Sequence, residues 1–226
     1  MKDAEAPRTP RIVVLISGGG SNLQALIDAI ARGDINAEIA AVISNIPEAY
    51  GLTRAENADI ETIVLDHRNY AARELFDAAM IKKIEALDAD LVVLAGFMRI
   101  LTPDFVRRYQ GRLLNIHPSL LPKYPGLHTH QRALDAGESN HGVTVHFVTA
   151  ELDGGPNIIQ ASVPVLPNDT TETLATRVQQ QEHIIYPIAV KWFVDGRLTM
   201  TSEGAKLDNT LLPASGLRLE SQMTLH

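Results

Sequence analysis

Asn115 and His117 stand two residues apart at the end of an apolar run, Leu113-Leu114-Asn115-Ile116-His117. Asp153 follows downstream, directly before Gly154 and Gly155. In a strand, a spacing of two puts both side chains on one face. An amide, an imidazole and a carboxylate together suit acyl transfer. The amide steadies a developing oxyanion, the imidazole moves a proton, and the carboxylate sets the state of the imidazole. An aspartate before two glycines also reads as a turn former, and its spacing alone does not choose between the two roles.

A second polar cluster comes earlier. Arg11–Ile16 is a β-branched apolar run that ends in Ser17-Gly18-Gly19-Gly20-Ser21-Asn22. Leu23, Leu26, Ile27 and Ile30 then repeat at helical spacing, with Ser21 or Asn22 placed to cap the helix and Gly33 to end it. Glycines let a ligand approach the backbone, and a helix N-terminus offers free N–H groups to an anion. The expectation is a phosphate cradle at Gly20, Ser21 and Asn22. The third glycine of a dinucleotide fingerprint falls on Leu23, and Ser44-Asn45 supplies no acid for a ribose, so a mononucleotide or sugar phosphate fits better. No Gly-Lys-Ser/Thr follows, which excludes a Walker A loop.

The histidines carry less. His141 reads as a satisfied polar residue. His128 and His130 could ligate zinc only with a further ligand such as Asp153 or His146, and nothing at close spacing supplies one, so no metal is expected.

These groups need a scaffold. Apolar runs at Ile39–Ile43, Thr62–Leu65 and Leu91–Ala95 alternate with helical patterns at Gly51–Asn57 and Ala72–Leu87. Such alternation predicts an α/β fold with a mostly parallel central sheet flanked by helices. After Gly96 the rhythm changes. A short helix (Pro103–Tyr109), a strand, a Pro/Gly/His loop (Pro118–His130) and a helix (Gln131–Ala136) precede two strands, Val143–Val148 and Ile158–Val165. These two should pair antiparallel. Asp169 with Glu172 resembles a capping box for a last helix, in which Pro187 should introduce a kink. Residues 1–10 read as a disordered tail and residues 11–202 as one domain. Within it, residues 11–100 form a phosphate-binding lobe and 101–202 a catalytic lobe. Residues 203–226 read as a hairpin end and tail.

Composition narrows the class. The chain has 226 residues, a net charge of −7 and no cysteine. Acidity without a basic block argues against a nucleic-acid partner. The missing cysteines exclude disulfides, Cys-zinc sites and thiol nucleophiles. No signal sequence and no membrane-spanning run are present, so no membrane partner is expected and the chain reads as a cytoplasmic protein acting on small molecules.

Four segments together resemble the formyltransferase family that uses 10-formyltetrahydrofolate. They are Ser17-Gly18-Gly19-Gly20-Ser21-Asn22-Leu23, Leu94–Leu101, Leu114–Pro122 and Leu152–Gly155. Lys123–His130 and Gln181-Glu182-His183 are similar to the branch of that family acting on glycinamide ribonucleotide. The resemblance implies a Rossmann-like formyltransferase fold and a catalytic trio of Asn115, His117 and Asp153. It places Gly20, Ser21 and Asn22 at the phosphate of the ribonucleotide. Gln179, Gln180, Gln181 and Glu182 belong to a segment touching the same substrate. Arg73, Met98, Arg99, Ile100, Leu101, Thr149, Ala150, Glu151 and Leu152, with Asn115 and Asp153, line the folate site. Gly19 and Ala150 depart from polar or acidic residues common in relatives, which removes side-chain contacts near the phosphate and the pterin.

The implied reaction is direct transfer of a formyl group from the co-substrate 10-formyltetrahydrofolate to a primary amine, without a metal, in a monomer or homodimer. A formyltetrahydrofolate hydrolase is the nearest alternative, but such relatives carry an N-terminal regulatory domain, and here ten residues precede the first strand. A tRNA-directed formyltransferase needs a basic C-terminal domain that Ser202–His226 does not resemble. A non-catalytic sugar-phosphate binder would keep the glycine loop but have no use for the trio.

Overall fold

The computed structural model describes residues 8–219. β1 (Arg11–Ile16), α1 (Ser21–Ala31), β2 (Glu38–Ser44), α2 (Tyr50–Glu56), β3 (Thr62–Val64), α3 (Arg73–Ala86) and β4 (Leu91–Leu94) follow one another, then α4 (Pro103–Arg108) and β5 (Leu113–His117). The second part contains α5 (Thr129–Asp135), β6 (Asn140–Phe147), β7 (Asn157–Pro164) and α6 (Thr171–Val194). Four short strands close the described chain: β8 (Leu198–Thr201), β9 (Gly204–Leu207), β10 (Thr210–Leu211) and β11 (Leu217–Arg218).

Eight strands form one sheet in the order β11-β7-β6-β5-β4-β1-β2-β3. β1 to β5 run parallel, while β6 lies antiparallel between β5 and β7. The expected α/β class, with antiparallel pairing confined to the later part, is what the chain adopts. β8, β9 and β10 make a separate antiparallel sheet. Chain order reverses between β1 and β4, and the crevice at the carboxyl ends of such a pair is where open α/β sheets bind ligands.

Ile12–Ile16 of β1 and all of β4 are apolar because both of their faces are covered. Val13, Leu15, Val92 and Leu94 pack with Phe76, Met80 and Phe105 on one side. Ile12, Val14, Ile16 and Val93 pack with Leu23, Leu26, Val178 and Tyr186 on the other. Tyr186 of α6 is fully buried, and its hydroxyl reaches the Leu94 carbonyl at 2.8 Å and the Leu114 carbonyl at 3.1 Å. Burial pushes the phenol pKa well up, so the hydroxyl stays a donor. The helix is thereby tied to the two strands that carry the site. Tyr186→Phe should lower unfolding free energy by about 1 kcal/mol in a urea titration, and an unchanged midpoint would remove this tie.

Local signals differ from the sequence reading at three places. The N-cap of α1 is Gly20 in the left-handed region (φ 71°), not Ser21 or Asn22. The Ser21 hydroxyl accepts from Gln179 and the Asn22 amide donates to Glu182, so both side chains are engaged by α6 instead. The capping box of α6 is Thr170 with Thr173; Asp169 is drawn away by Arg177 and the Leu166 N–H. Residues 203–219, read as a hairpin end and tail, contribute β9, which pairs antiparallel with β8, and also β10 and β11, of which β11 extends the main sheet beside β7. Of the N-terminal tail, Arg8 is held by Asp90, and residues 1–7 lie outside the described residues, as do 220–226.

Candidate active site

The β5 register explains the cluster. Leu114 and Ile116 face α6, which turns Leu113, Asn115 and His117 to the opposite face. β6 pairs antiparallel with β5, setting His146 opposite Asn115. Directly opposed side chains share a face of the sheet. The Asn115 amide nitrogen lies 3.3 Å from His146 Nε2. His146 Nδ1 is 2.9 Å from the Phe147 carbonyl and must donate to it, which leaves Nε2 as an acceptor. Burial lowers the His146 pKa and keeps the ring neutral, in line with this tautomer. One Asn115 N–H is therefore committed to His146, and the second has no partner among the described residues and can meet a substrate oxygen. By its spacing, His146 stands out only as a possible metal ligand. Its place opposite Asn115 follows from the strand register, which spacing did not show.

Asp153 approaches from the loop after β6. It adopts φ 51°, and its neighbours Gly154 and Gly155 permit the fold-back, since a Cβ on Gly155 would collide with the Phe147 carbonyl. A left-handed aspartate is uncommon and more often a local requirement than an accident. Its carboxylate accepts from the Gly126 N–H at 2.8 Å, so it also anchors the Pro118–His128 loop. Asp153 Oδ2 lies 3.5 Å from His117 Nδ1, and both side chains are 8% exposed. The other ring nitrogen, Nε2, is 2.8 Å from the Tyr124 carbonyl. Both His117 nitrogens thus face oxygen acceptors, Nε2 at hydrogen-bond distance and Nδ1 in a longer ion-pair contact.

The loop wall is itself well tied. Ser119 donates to the Lys123 carbonyl at 2.6 Å, and Leu121 N–H donates to Thr144. His130 and His141 face each other at 3.2 Å with no acid between them, and burial brings His141 down to about 4. The described residues contain no group of three or more His, Asp or Glu side chains arranged to hold a metal.

The glycine loop sits at the carboxyl end of β1. A Cβ on Gly20 would meet the Gly51 backbone at 2.7 Å, while Gly18 and Gly19 face open space. Gly20 is therefore needed for packing, and its neighbours leave backbone accessible to a ligand. α6 delivers Gln179 to Ser21 at 3.1 Å and Glu182 to Asn22 at 2.8 Å, one helical turn apart on one face. Gln180 and Gln181 make no side-chain bond to the loop among the described residues. Burial raises the Glu182 pKa, opposed by the Asn22 hydrogen bond. His183, the last residue of the Gln181-Glu182-His183 segment, borders the same loop beside Arg54.

Across the switch point, Phe97–Leu101 makes no main-chain hydrogen bond to other main chain among the described residues. Met98 and Ile100 are 69% and 62% exposed, and Leu152 near Asp153 is 58% exposed. Arg73 is exposed at the first residue of α3, and Thr149, Ala150 and Glu151 lie on the Asp153 loop. These segments therefore present exposed apolar side chains and uncommitted backbone polar groups, the pairing of features that suits a flat heterocyclic ligand.

Comparison with known proteins gives one answer. The profile of the formyl transferase family matches residues 10–190. The phosphoribosylglycinamide formyltransferase of Escherichia coli (strain K12) is 56% identical over 205 residues, covering 91% of this chain and 97% of that protein. The protein of the same name from Haemophilus influenzae is 52% identical with equal coverage. Among solved structures, the phosphoribosylglycinamide formyltransferase of Coxiella burnetii superposes with a TM-score of 0.90 at 52% identity, covering 94% of this chain and 100% of that one. With a sheet of this order, a glycine cradle and an amide–imidazole–carboxylate cluster at its switch-point end, the chain belongs to the formyl transferase family.

Proposed function

We propose that the chain transfers the formyl group of 10-formyltetrahydrofolate to the amino group of N1-(5-phospho-D-ribosyl)glycinamide, giving the formylated ribonucleotide and tetrahydrofolate in purine synthesis. The observation that carries the chemistry is His117 held between a carboxylate and a carbonyl, beside an Asn115 amide with one N–H uncommitted. The substrate amine attacks the formyl carbon, and the carbonyl oxygen becomes an oxyanion. The free Asn115 N–H and a His117 N–H stabilise it. The His117 proton facing Tyr124 bonds a neutral acceptor, so it exchanges more easily than the one facing Asp153. Collapse breaks the C–N10 bond. N10 gains a proton, the amine nitrogen loses one, and the imidazole or a water carries the transfer. The formyl carbon is already activated by the folate, so neither a covalent enzyme intermediate nor a metal ion is required.

Binding divides along the switch point. The N–H groups of the glycine loop with Ser21 and Asn22 take the phosphate, and Gln179 and Glu182 take the ribose end. Met98–Leu101, Arg73 and Thr149–Leu152 hold the folate. Because burial raises the Glu182 pKa from 4.5, this carboxylate takes up a proton earlier than an ordinary glutamate as pH falls. Its ionised form accepts ribose hydroxyls through both oxygens, and protonation turns one of them into a donor. The KM for the ribonucleotide should therefore rise on mild acidification, and Glu182→Gln should flatten that rise at the cost of a higher KM throughout. A pH profile of KM for both proteins checks it; parallel profiles would separate Glu182 from the ribose.

The function itself is tested by following deformylation of a 10-formyl folate with and without glycinamide ribonucleotide. Loss of the formyl group only when the ribonucleotide is present is expected. Loss without it would indicate a hydrolase, and no loss in either case would remove the enzyme reading.

A further inference from the structure

The segment proposed to receive the folate is held in an unusual way. Phe97–Leu101 has no ladder or helix to fix it, yet three contacts fasten it. At one end, the Met98 N–H donates to Ser17 Oγ at 2.8 Å. At the other, the Thr102 N–H donates to Asp77 Oδ2 at 2.7 Å, a carboxylate on α3 that is 2% exposed. Between them the Arg99 guanidinium lies over the Phe76 ring, 5.1 Å from its centroid. Arg99 is drawn inward by that ring, while Met98 and Ile100 on either side remain exposed.

The Ser17 bond has a defined direction. Its hydroxyl proton goes to Asn45 Oδ1 at 2.5 Å, and the Asn45 amide nitrogen lies 3.2 Å from His67 Nδ1. A serine hydroxyl has one proton and two lone pairs. With the proton committed to Asn45, the lone pairs are left for the Met98 N–H. Ser17 is also the residue that leads β1 into the glycine loop. One hydroxyl therefore spans the switch point and joins the phosphate side of the crevice to the folate side. At Asp77 the geometry serves two purposes, because Thr102 is also the N-cap of α4 and a carboxylate there complements the helix end.

We propose that Ser17 and Asp77 are positioning residues for the formyl donor: they clamp the two ends of residues 98–102 so that exposed apolar side chains and free backbone groups are preset before the folate arrives. Presetting saves the ordering cost that a loose segment would charge to binding. The proposal rests on the folate reading of this segment. Neither residue touches the reacting atoms, so the effect falls on the donor's KM and leaves the chemical step alone.

The test uses Ser17→Ala, Ser17→Thr, Asp77→Ala and Asp77→Asn in the full chain. Ser17→Ala should raise the KM for 10-formyltetrahydrofolate by about five- to tenfold, the worth of one hydrogen bond, with kcat and the ribonucleotide KM within about twofold. Ser17→Thr, which keeps the hydroxyl, should restore the wild-type value. Asp77→Ala should act in the same sense, and Asp77→Asn, which keeps an acceptor, should act less. Hydrogen exchange of the unliganded proteins gives a readout independent of the substrate: Met98 should lose protection in Ser17→Ala and Thr102 in Asp77→Ala. If Asp77→Ala fails to fold, the serine pair decides alone. Faster exchange with an unchanged folate KM, or a loss confined to kcat or the ribonucleotide KM, overturns the proposal. A wild-type protein that does not use the folate at all overturns the folate reading, and the exchange data still report whether the clamps exist.

Discussion

Asp153→Asn should lower kcat on the order of 10³-fold while leaving the fold intact. An asparagine tolerates the left-handed backbone at φ 51° and can still accept from the Gly126 N–H through its amide oxygen. That same oxygen position, Oδ2, lies 3.5 Å from His117 Nδ1, so the amide nitrogen takes the Oδ1 position, 3.8 Å from His146 Nε2. What the amide lacks is the negative charge that faces the ring, so an imidazolium formed in the reaction has no counter-charge beside Nδ1. The positive charge that meets the oxyanion is thereby left unsupported. Steady-state kinetics, a thermal melt and folate binding separate the effects. Near-native melting and folate affinity with collapsed turnover is the expected pattern; native turnover would break the His117–Asp153 link.

Asn115→Ala should cost about 10²–10³ in kcat, the usual loss for one oxyanion donor. The substitution removes the uncommitted N–H and leaves His146 Nε2 without its partner. His146→Gln provides the comparison. It keeps a polar side chain opposite Asn115 but not the fixed ring acceptor, so it should lower kcat less than Asn115→Ala and leave both KM values near native. Equal losses in the two variants would mean that Asn115 acts through the sheet and not on the substrate.

The parallel half of the fold was legible because each buried strand is a continuous apolar run and each helix keeps its spacing. Asn115 and His117 were legible for a related reason, since a period of two puts them on one face in any strand. His146 was not, because its role depends on which residue of β6 stands opposite Asn115, and register between distant strands is set by packing that no local pattern records. The caps of α1 and α6 were misplaced because Ser21 and Asn22 have partners far away in the chain, Gln179 and Glu182, and because Asp169 is taken by Arg177, which only the turns of α6 bring to it. The β11 pairing was hidden because two residues carry too little pattern to stand out from a tail.

The measurement that bears most directly on the chemistry is a single turnover with enzyme in excess over a formyl-labelled 10-formyl folate, quenched at intervals in the presence of glycinamide ribonucleotide. Label should pass from folate to ribonucleotide with matched rates of loss and gain, and none should remain on the protein. Label that accumulates on the chain before the product appears would contradict direct attack.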